Sequence, residues 1–488
     1  MRCQKKTPVG LFERFESLWQ EARPAFTQER TFRRGKSLAL SALTCFGRRT
    51  ITGLLATSGR QFQDWSADYR LFNRNRMDLT ILFSAVRQAL LETIPETAPI
   101  VVALDDTLLP KSGKKTHGAA YRRDPLGPSF RPNFIWAQRF VQVSAASYTK
   151  TRTQPADMVP IDFRHAPTPA KPSKKAPAAA WDLYKKQKKQ MNLSLMGVQC
   201  INDLRNKLDQ NPKTQNRTLV VAVDGSYTNQ SVLKNLPPQT TLIGRIRKDA
   251  KLSYLPEHPT HRGRKRIYGE SSPTPEQLRS DPLIPYQKIT AWAAGRPHDF
   301  KVKTIGPLRW RKAGGHLDLT LIVIAPLRYR LTKNTRLLYR QPAYLICSNP
   351  HMPLQEIIQF YLWRWDIEVN FRDEKTLLGV GQAQVRTQAS VMNVPAFIVA
   401  AYAMLLIAAQ QTFKDPAHGT RTLPPPKWQS SKARRLGTQK LVNHLRAELW
   451  GPSLGLQNFS HFVDKRTADR THKNTRPNLE SAVLYAIN

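Results

Sequence analysis

Two short apolar runs that each reach an acid constrain this chain more than any other feature. PIVVALDD, beginning at Pro99, has the β-branched enrichment of a buried strand and arrives at two carboxylates, Asp105 and Asp106. TLVVAVDG does the same at Asp224, just before a glycine-containing turn. Between them FIWAQRFVQVSAAS and MVPIDF read as further strands, and a helical stretch covers roughly residues 178 to 209. After Asp224 come a short helix, Gln230 to Leu236, and the strand TTLIGRIRK. The order from Pro99 is three strands, helix, strand, helix, strand, which places the chain in the α/β class.

The segments around this core have other characters. Residues 1–95 alternate aromatic and basic residues in helical segments and suggest a small helical DNA-binding domain, with a plain helical bundle as the alternative. The first part of the core spans residues 96–247. Residues 248–345 alternate short runs such as KITAWAAG and LDLTLIVIAPL with Gly, Pro and basic turns, the pattern of a β-rich insertion. The core resumes over 346–412. Residues 413–488 form a basic, Pro-rich C-terminal region suited to dimerisation or DNA contact, with QKLVNHLRAELW as a helix.

The basic stretch WDLYKKQKKQMNLSLMGVQCINDL follows a Pro/Lys-rich linker and invites reading as a nucleic-acid tail. Its apolar spacing argues instead for a packed helix with a solvated basic face.

YLWRWDIEVNFRDEK, from Tyr361 to Lys375, reads as one two-sided helix. At roughly 100° per residue, Tyr361, Arg364, Glu368 and Lys375 fall within an arc of roughly 60°. Ile358, Leu362, Trp365 and Val369 make a neighbouring apolar stripe for burial. The plainest reading of Arg364 and Glu368 is an i,i+4 ion pair.

Charge narrows the partners. The chain has 488 residues with 76 Lys+Arg against 35 Asp+Glu, a formal net charge of +41. So large an excess opposes compaction unless a polyanion offsets it, and nucleic acid is the natural one. The basic residues are spread along the chain and not confined to one amphipathic helix, which argues against a membrane surface. VPAFIVAAYAMLLIAA, from Val394 to Ala409, contains Pro395 and is short for a membrane span, so it is expected to be a buried core helix. The N-terminus lacks the apolar core of a signal peptide, and four scattered cysteines suggest neither a disulfide framework nor a zinc finger. A cytoplasmic, nucleoid-associated location is expected.

Asp106, Asp224 and Glu368 each sit where a scaffold would hold them rigidly. Two strand-end aspartates and a helical glutamate suit a divalent-metal site, because hard Mg²⁺ or Mn²⁺ prefers carboxylate oxygens. Two such ions can activate an attacking oxygen and stabilise the leaving oxygen of a phosphodiester.

These residues resemble the DDE transposases of bacterial insertion sequences, of the insertion sequence 4 type. Tyr361, Arg364, Glu368 and Lys375 match the Y-x2-R-x3-E-x6-K signature at every spacing, while DDT at 105–107 and VDGSYTN around Asp224 resemble the two acidic motifs. Asp105 could equally be the first ligand; Asp106 is preferred because Thr107 follows it in the family pattern. Gly225 departs from relatives that carry a charged residue after the second aspartate.

The resemblance covers roughly residues 99 to 410 and implies a ribonuclease H-like catalytic core interrupted by the β-rich insertion. It also implies two Mg²⁺ ions, replaceable by Mn²⁺, on Asp106, Asp224 and Glu368, with Tyr361, Arg364 and Lys375 holding DNA phosphates. The implied partners are double-stranded transposon ends and target DNA, joined by a homodimer in a synaptic complex. The implied activity is cut-and-paste transposition through a hairpin; in some relatives a flipped base stacks on a tryptophan of the insertion, for which Trp292 and Trp310 are the candidates. A nuclease without strand transfer and a transposase-derived repressor are the alternatives.

Overall fold

The first apolar run does not stop at its acids. In a computed structural model of the protein, strand β1 spans Ile100–Pro110 and carries Asp105 and Asp106 in its middle. The structure describes residues 9–124, 127–128, 130–131, 133–148, 152, 154–257, 266–313, 317–330, 335–413, 423, 426, 428, 436–456 and 478–486. Most of RTLPPPKWQSSKARR, and most of the chain after residue 456, lie outside these.

Among the described residues, five α-helices precede the sheet: α1 (Leu11–Glu21), α2 (Glu29–Thr44), α3 (Ile51–Thr57), α4 (Ser66–Asn73) and α5 (Leu79–Leu91). Side chains cap two of them, Thr50 accepting from the Gly53 amide and Asp78 from the amides of Thr80 and Ile81. After β1 come β2 (Ala120–Arg123), β3 (Phe134–Ser147), β4 (Asp157–His165), α6 (Ala178–Gln190), α7 (Leu193–Asp209), β5 (Leu219–Val223), α8 (Gln230–Leu233) and β6 (Thr240–Arg245). β1 lies antiparallel to β3 and parallel to β5; β3 is antiparallel to β4, and β5 is parallel to β6. The spatial order β4-β3-β1-β5-β6, three antiparallel strands followed by two parallel ones, is that of a ribonuclease H-like core.

The insertion lengthens this sheet. Its elements are β7 (Ser253–Tyr254), α9 (Pro275–Ser280), β8 (Gln287–Ala293), β9 (Arg296–Arg309), β10 (Leu319–Ile324), β11 (Arg328–Tyr329), β12 (Leu338–Tyr339) and β13 (Ala343–Cys347). β13 pairs antiparallel with β6 and with β10, and β10 with β9, giving a continuous sheet of eleven strands among the described residues. Among the described residues, β11 and β12 stand apart as a two-stranded ribbon.

Three helices follow: α10 (Leu354–Trp363), α11 (Asp366–Thr376) and α12 (Gln388–Phe413). α12 is long and apolar enough to cross a membrane. It is instead buried, packed against β4 and helices α1, α2, α4 and α5, so the N-terminal helices share its apolar core. Near the C-terminus lie α13 (Thr438–Trp450) and α14 (Leu479–Leu484). Cys45, Cys200 and Cys347 are buried free thiols.

Three expectations are corrected. The basic stretch forms two helices: α7 buries Gly197, Cys200, Ile201, Leu204, Arg205 and Leu208, but α6 buries nothing, so only its second half is packed. The helix read from Tyr361 to Lys375 is broken at Arg364 and Trp365, where the amides of Trp365, Ile367 and Glu368 each bond three residues back. That break rotates the second half. Trp365, expected in the apolar stripe, is 60% exposed, and the buried face is Phe360, Trp363, Ile367, Asn370, Phe371 and Glu374.

Candidate active site

Alternation along β1 decides which of its two acids faces which helix, because successive strand side chains point to opposite faces. Asp105 lies under the α10–α11 break, where Arg364 Nη1 donates to its Oδ2 at 3.2 Å. Two residues on, Thr107 Oγ1 accepts from Lys375 Nζ at 3.1 Å, so the helical segment is fixed to β1 at two same-face positions. Asp106 faces the other way: its Oδ1 accepts from the Tyr227 hydroxyl at 3.3 Å, and its Oδ2 lies 3.2 Å from Arg139 Nε.

A cavity of about 470 Å³ opens over Asp105, lined by Asp224, Gly225, Ser226, Arg245, Tyr361, Arg364, Trp365 and Glu368. Asp224 and Arg245 arrive at the carboxyl ends of the parallel strands β5 and β6, where open α/β sheets present their binding crevices. Asp224 is held in a turn, its two oxygens accepting from the Ser226 amide at 2.8 Å and the Ser226 hydroxyl at 3.2 Å. Glu368 comes from the first turn of α11.

Asp106, the residue preferred from the sequence, is therefore replaced at the cavity by Asp105. Asp224, Glu368, Tyr361 and Arg364 line the cavity with it, whereas Lys375 braces the helix on Thr107 and is not among the lining residues. Trp292 and Trp310 do not line it either. Trp292 lies on β8, its backbone held on both sides by Gln359, and Trp310 packs on the apolar core. The tryptophan at the cavity is Trp365.

Sequence reasoning missed Arg245, Ser226 and the exposed place of Trp365 at the cavity. Arg245 closes the run TTLIGR one strand over from Asp224, so parallel pairing of β5 and β6 was the signal that could have found it.

Arg364 organises the charges. It is 9% exposed, sits between Asp105 and Glu368 (Nη2 to Oε1, 3.4 Å), and stands over the Tyr361 ring at 5.5 Å. Its Nε is buried without a hydrogen-bond partner. Burial and the nearby Asp224 charge push the Asp105 carboxyl up to about 7, with Arg364 acting in the opposite direction. Burial likewise raises the Tyr361 phenol and lowers the Lys375 ammonium.

The acids at the cavity are three carboxylates with no thiolate or imidazole beside them, the donor chemistry that hard divalent cations prefer. With Arg364 between two of the acids, no group of three acidic, His or Cys side chains is gathered closely enough to hold an ion among the described residues.

Residues 21–299 match the family described as DDE superfamily endonuclease. The match covers more than half of the 488 residues, and the chain belongs to this family. The matched span includes Asp105, Asp106 and Asp224 but ends before α10 and α11. No curated protein matches the chain. Members of this superfamily are nucleases that act on DNA with divalent metal ions, so the class of substrate follows from the family.

Proposed function

We propose that this endonuclease is a transposase of the insertion sequence 4 type, which binds the terminal inverted repeats of its element and both cuts and joins DNA. One observation carries the reading: Asp105, Asp224 and Glu368, supplied by a strand, a strand-end turn and a helix, line one cavity together with Tyr361, Arg364 and Arg245. Acids on three rigid elements beside phosphate-binding cations suit phosphodiester chemistry better than a solitary surface ion pair does.

In this reading Asp105, Asp224 and Glu368 hold two Mg²⁺ ions, with Mn²⁺ as a substitute. When bound, the metal supplies Lewis-acid stabilisation to the attacking and leaving oxygens. The chain's own residues do the rest. Arg364 and Arg245, which both line the cavity, offer guanidinium N–H groups to the phosphate beside the cut. The Tyr361 hydroxyl donates to the same group. Lys375 acts through Thr107, setting the pitch of the helix that carries Glu368. Trp365 presents an exposed ring at the cavity, a surface on which a base at the DNA end can stack.

The N-terminal helices are assigned to the element ends. Two ends must be brought together, which calls for a homodimer in a synaptic complex. A nuclease that cuts without joining is the second reading, favoured by the family description itself.

The test is incubation of duplexes carrying the element's ends with Mg²⁺ and a target plasmid, comparing the natural protein with Glu368→Ala. Joined products from the natural protein alone support the transposase. Cutting without joining leaves the nuclease, and equal binding by both proteins with no cutting leaves the repressor.

A further inference from the structure

Helix α6 has no buried residue, and it makes no substantial contact with another element among the described residues. An isolated helix of this length is marginal in water, since helices in proteins draw most of their stability from a packed face. Its chemistry is one-sided in charge. Lys185, Lys186, Lys188 and Lys189 are exposed, against the single acid Asp182, which pairs with Lys185. Trp181 and Tyr184 lie one turn apart, half-buried at most, and Lys171 of the preceding segment folds back over the Trp181 ring at 5.9 Å.

The position of α6 matters as much as its charge. Its C-terminal end runs through Met191 into Asn192, which caps α7 by accepting from the Ser194 amide. The Ser194 hydroxyl accepts from Asn229 Nδ2 at 2.8 Å, and the same Asn229 amide donates to the carbonyl of Ser226, a residue of the cavity wall. One turn further, Gly197 packs so closely on Tyr227 that a Cβ would meet the ring at 2.8 Å. The start of α7 is thus locked to the Asp224 loop. Lys188 and Lys189 lie four and three residues before Asn192, so these exposed lysines lead directly into the helix start that is locked to the Asp224 loop.

We infer that α6 is a docking surface for the phosphate backbone of the duplex DNA leading into the cavity, separate from the residues that surround the cut. The exposed lysines meet phosphates without reading sequence, and the bound polyanion supplies the partner that the helix lacks. The inference takes the identity of the polyanion from the DNA endonuclease reading. It requires no chemistry at the cavity.

The experiment is therefore a binding measurement on the full chain without divalent ions, which no failure of cleavage or joining can affect. Affinity for a 40-base-pair duplex is followed across salt concentrations for the natural protein, for Lys188→Gln/Lys189→Gln and for Lys213→Glu. The last variant changes net charge by the same two units at an exposed site beyond α7, by Arg217, whose side chain bonds the Pro95 and Ala98 carbonyls ahead of β1, away from the cavity. Loss of two phosphate contacts lowers the slope of log affinity against log salt by about 2, at about 0.9 per phosphate. The inference expects that fall for the α6 variant and a slope near the natural one for Lys213→Glu. Equal falls in both variants would reduce the effect to bulk charge and overturn it, as would an unchanged slope in the α6 variant. Tighter α6-dependent binding to a single-stranded RNA of the same length would overturn it in favour of another partner.

Discussion

Arg364 and Asp105 meet at 3.2 Å across the interface between the helical break and β1, and the same guanidinium reaches Glu368 at 3.4 Å. One cation therefore ties the strand acid to the helix acid. Its electrostatic pull opposes the burial and the Asp224 charge that bring the Asp105 carboxyl up to about 7. A proton and a metal ion compete for such a carboxylate. Mn²⁺ affinity should weaken as pH falls below about 7, approaching tenfold per pH unit on the acid side. In Arg364→Ala the opposing charge is gone, so the midpoint should move to higher pH. Titration calorimetry with Mn²⁺ from pH 5.5 to 8.5 checks both the slope and the shift.

Glu374 gives a separate pH prediction for stability. It is 1% exposed, with one carboxylate oxygen lacking a hydrogen-bond partner, and burial pushes its carboxyl up to about 8 despite the opposing effects of Gln142 and Lys375. A carboxyl whose folded value lies above its unfolded one favours folding while it is protonated. Its contribution is full below the ordinary carboxylate range and is lost as pH rises from about 4.5 to about 8. Glu374→Gln keeps the neutral shape. It should therefore flatten this part of the stability profile and raise the melting temperature at pH 8.5 by a few degrees, on the order of 1–3 kcal/mol. Thermal unfolding at pH 5.5 and 8.5 decides it, and an unchanged difference between the two pH values would count against the assignment.

Trp365 should separate stability from DNA handling. With 60% of its surface exposed, Trp365→Ala ought to change the melting temperature little, within roughly 0.5 kcal/mol. Loss of a stacking face costs on the order of 1–3 kcal/mol per base, which predicts about 5- to 150-fold weaker processing of the DNA end and near-natural behaviour for Trp365→Phe. Steady-state cleavage of matched duplexes reads this. Equal losses in the Ala and Phe variants would argue against stacking.

The strands were legible in the sequence because apolar, β-branched runs leave little choice. β3 begins and ends where FIWAQRFVQVSAAS does, and β5 and β6 fall within their runs. The choice between Asp105 and Asp106 was not legible, since a strand covered on both faces has no polar side to fix its phase. Only the position of α11 over β1 distinguishes them. The break at Arg364 and Trp365 was hidden for a different reason: helical spacing counts residues, and a turn bonded at three-residue spacing shifts the later side chains around the axis without any Gly or Pro to mark it. In the basic stretch, lysine and apolar spacing in one window averaged an unpacked helix with a packed one, and the cap at Asn192 was the local signal dividing them.

The most direct test of the site compares two neighbouring conservative changes, Asp105→Asn and Asp106→Asn, in Mg²⁺-dependent cleavage of a labelled duplex carrying the element's end. Asp105 lines the cavity with Asp224 and Glu368, so its variant should bind DNA and lose at least about 10²-fold in cleavage rate. Asp106 accepts from Tyr227 on the opposite face, so its variant should lose mainly stability, on the order of 1–3 kcal/mol, and cut at a rate within about tenfold of the natural protein at a temperature where both are folded. The reverse order, with Asp106→Asn inactive and Asp105→Asn active, would contradict the site described above.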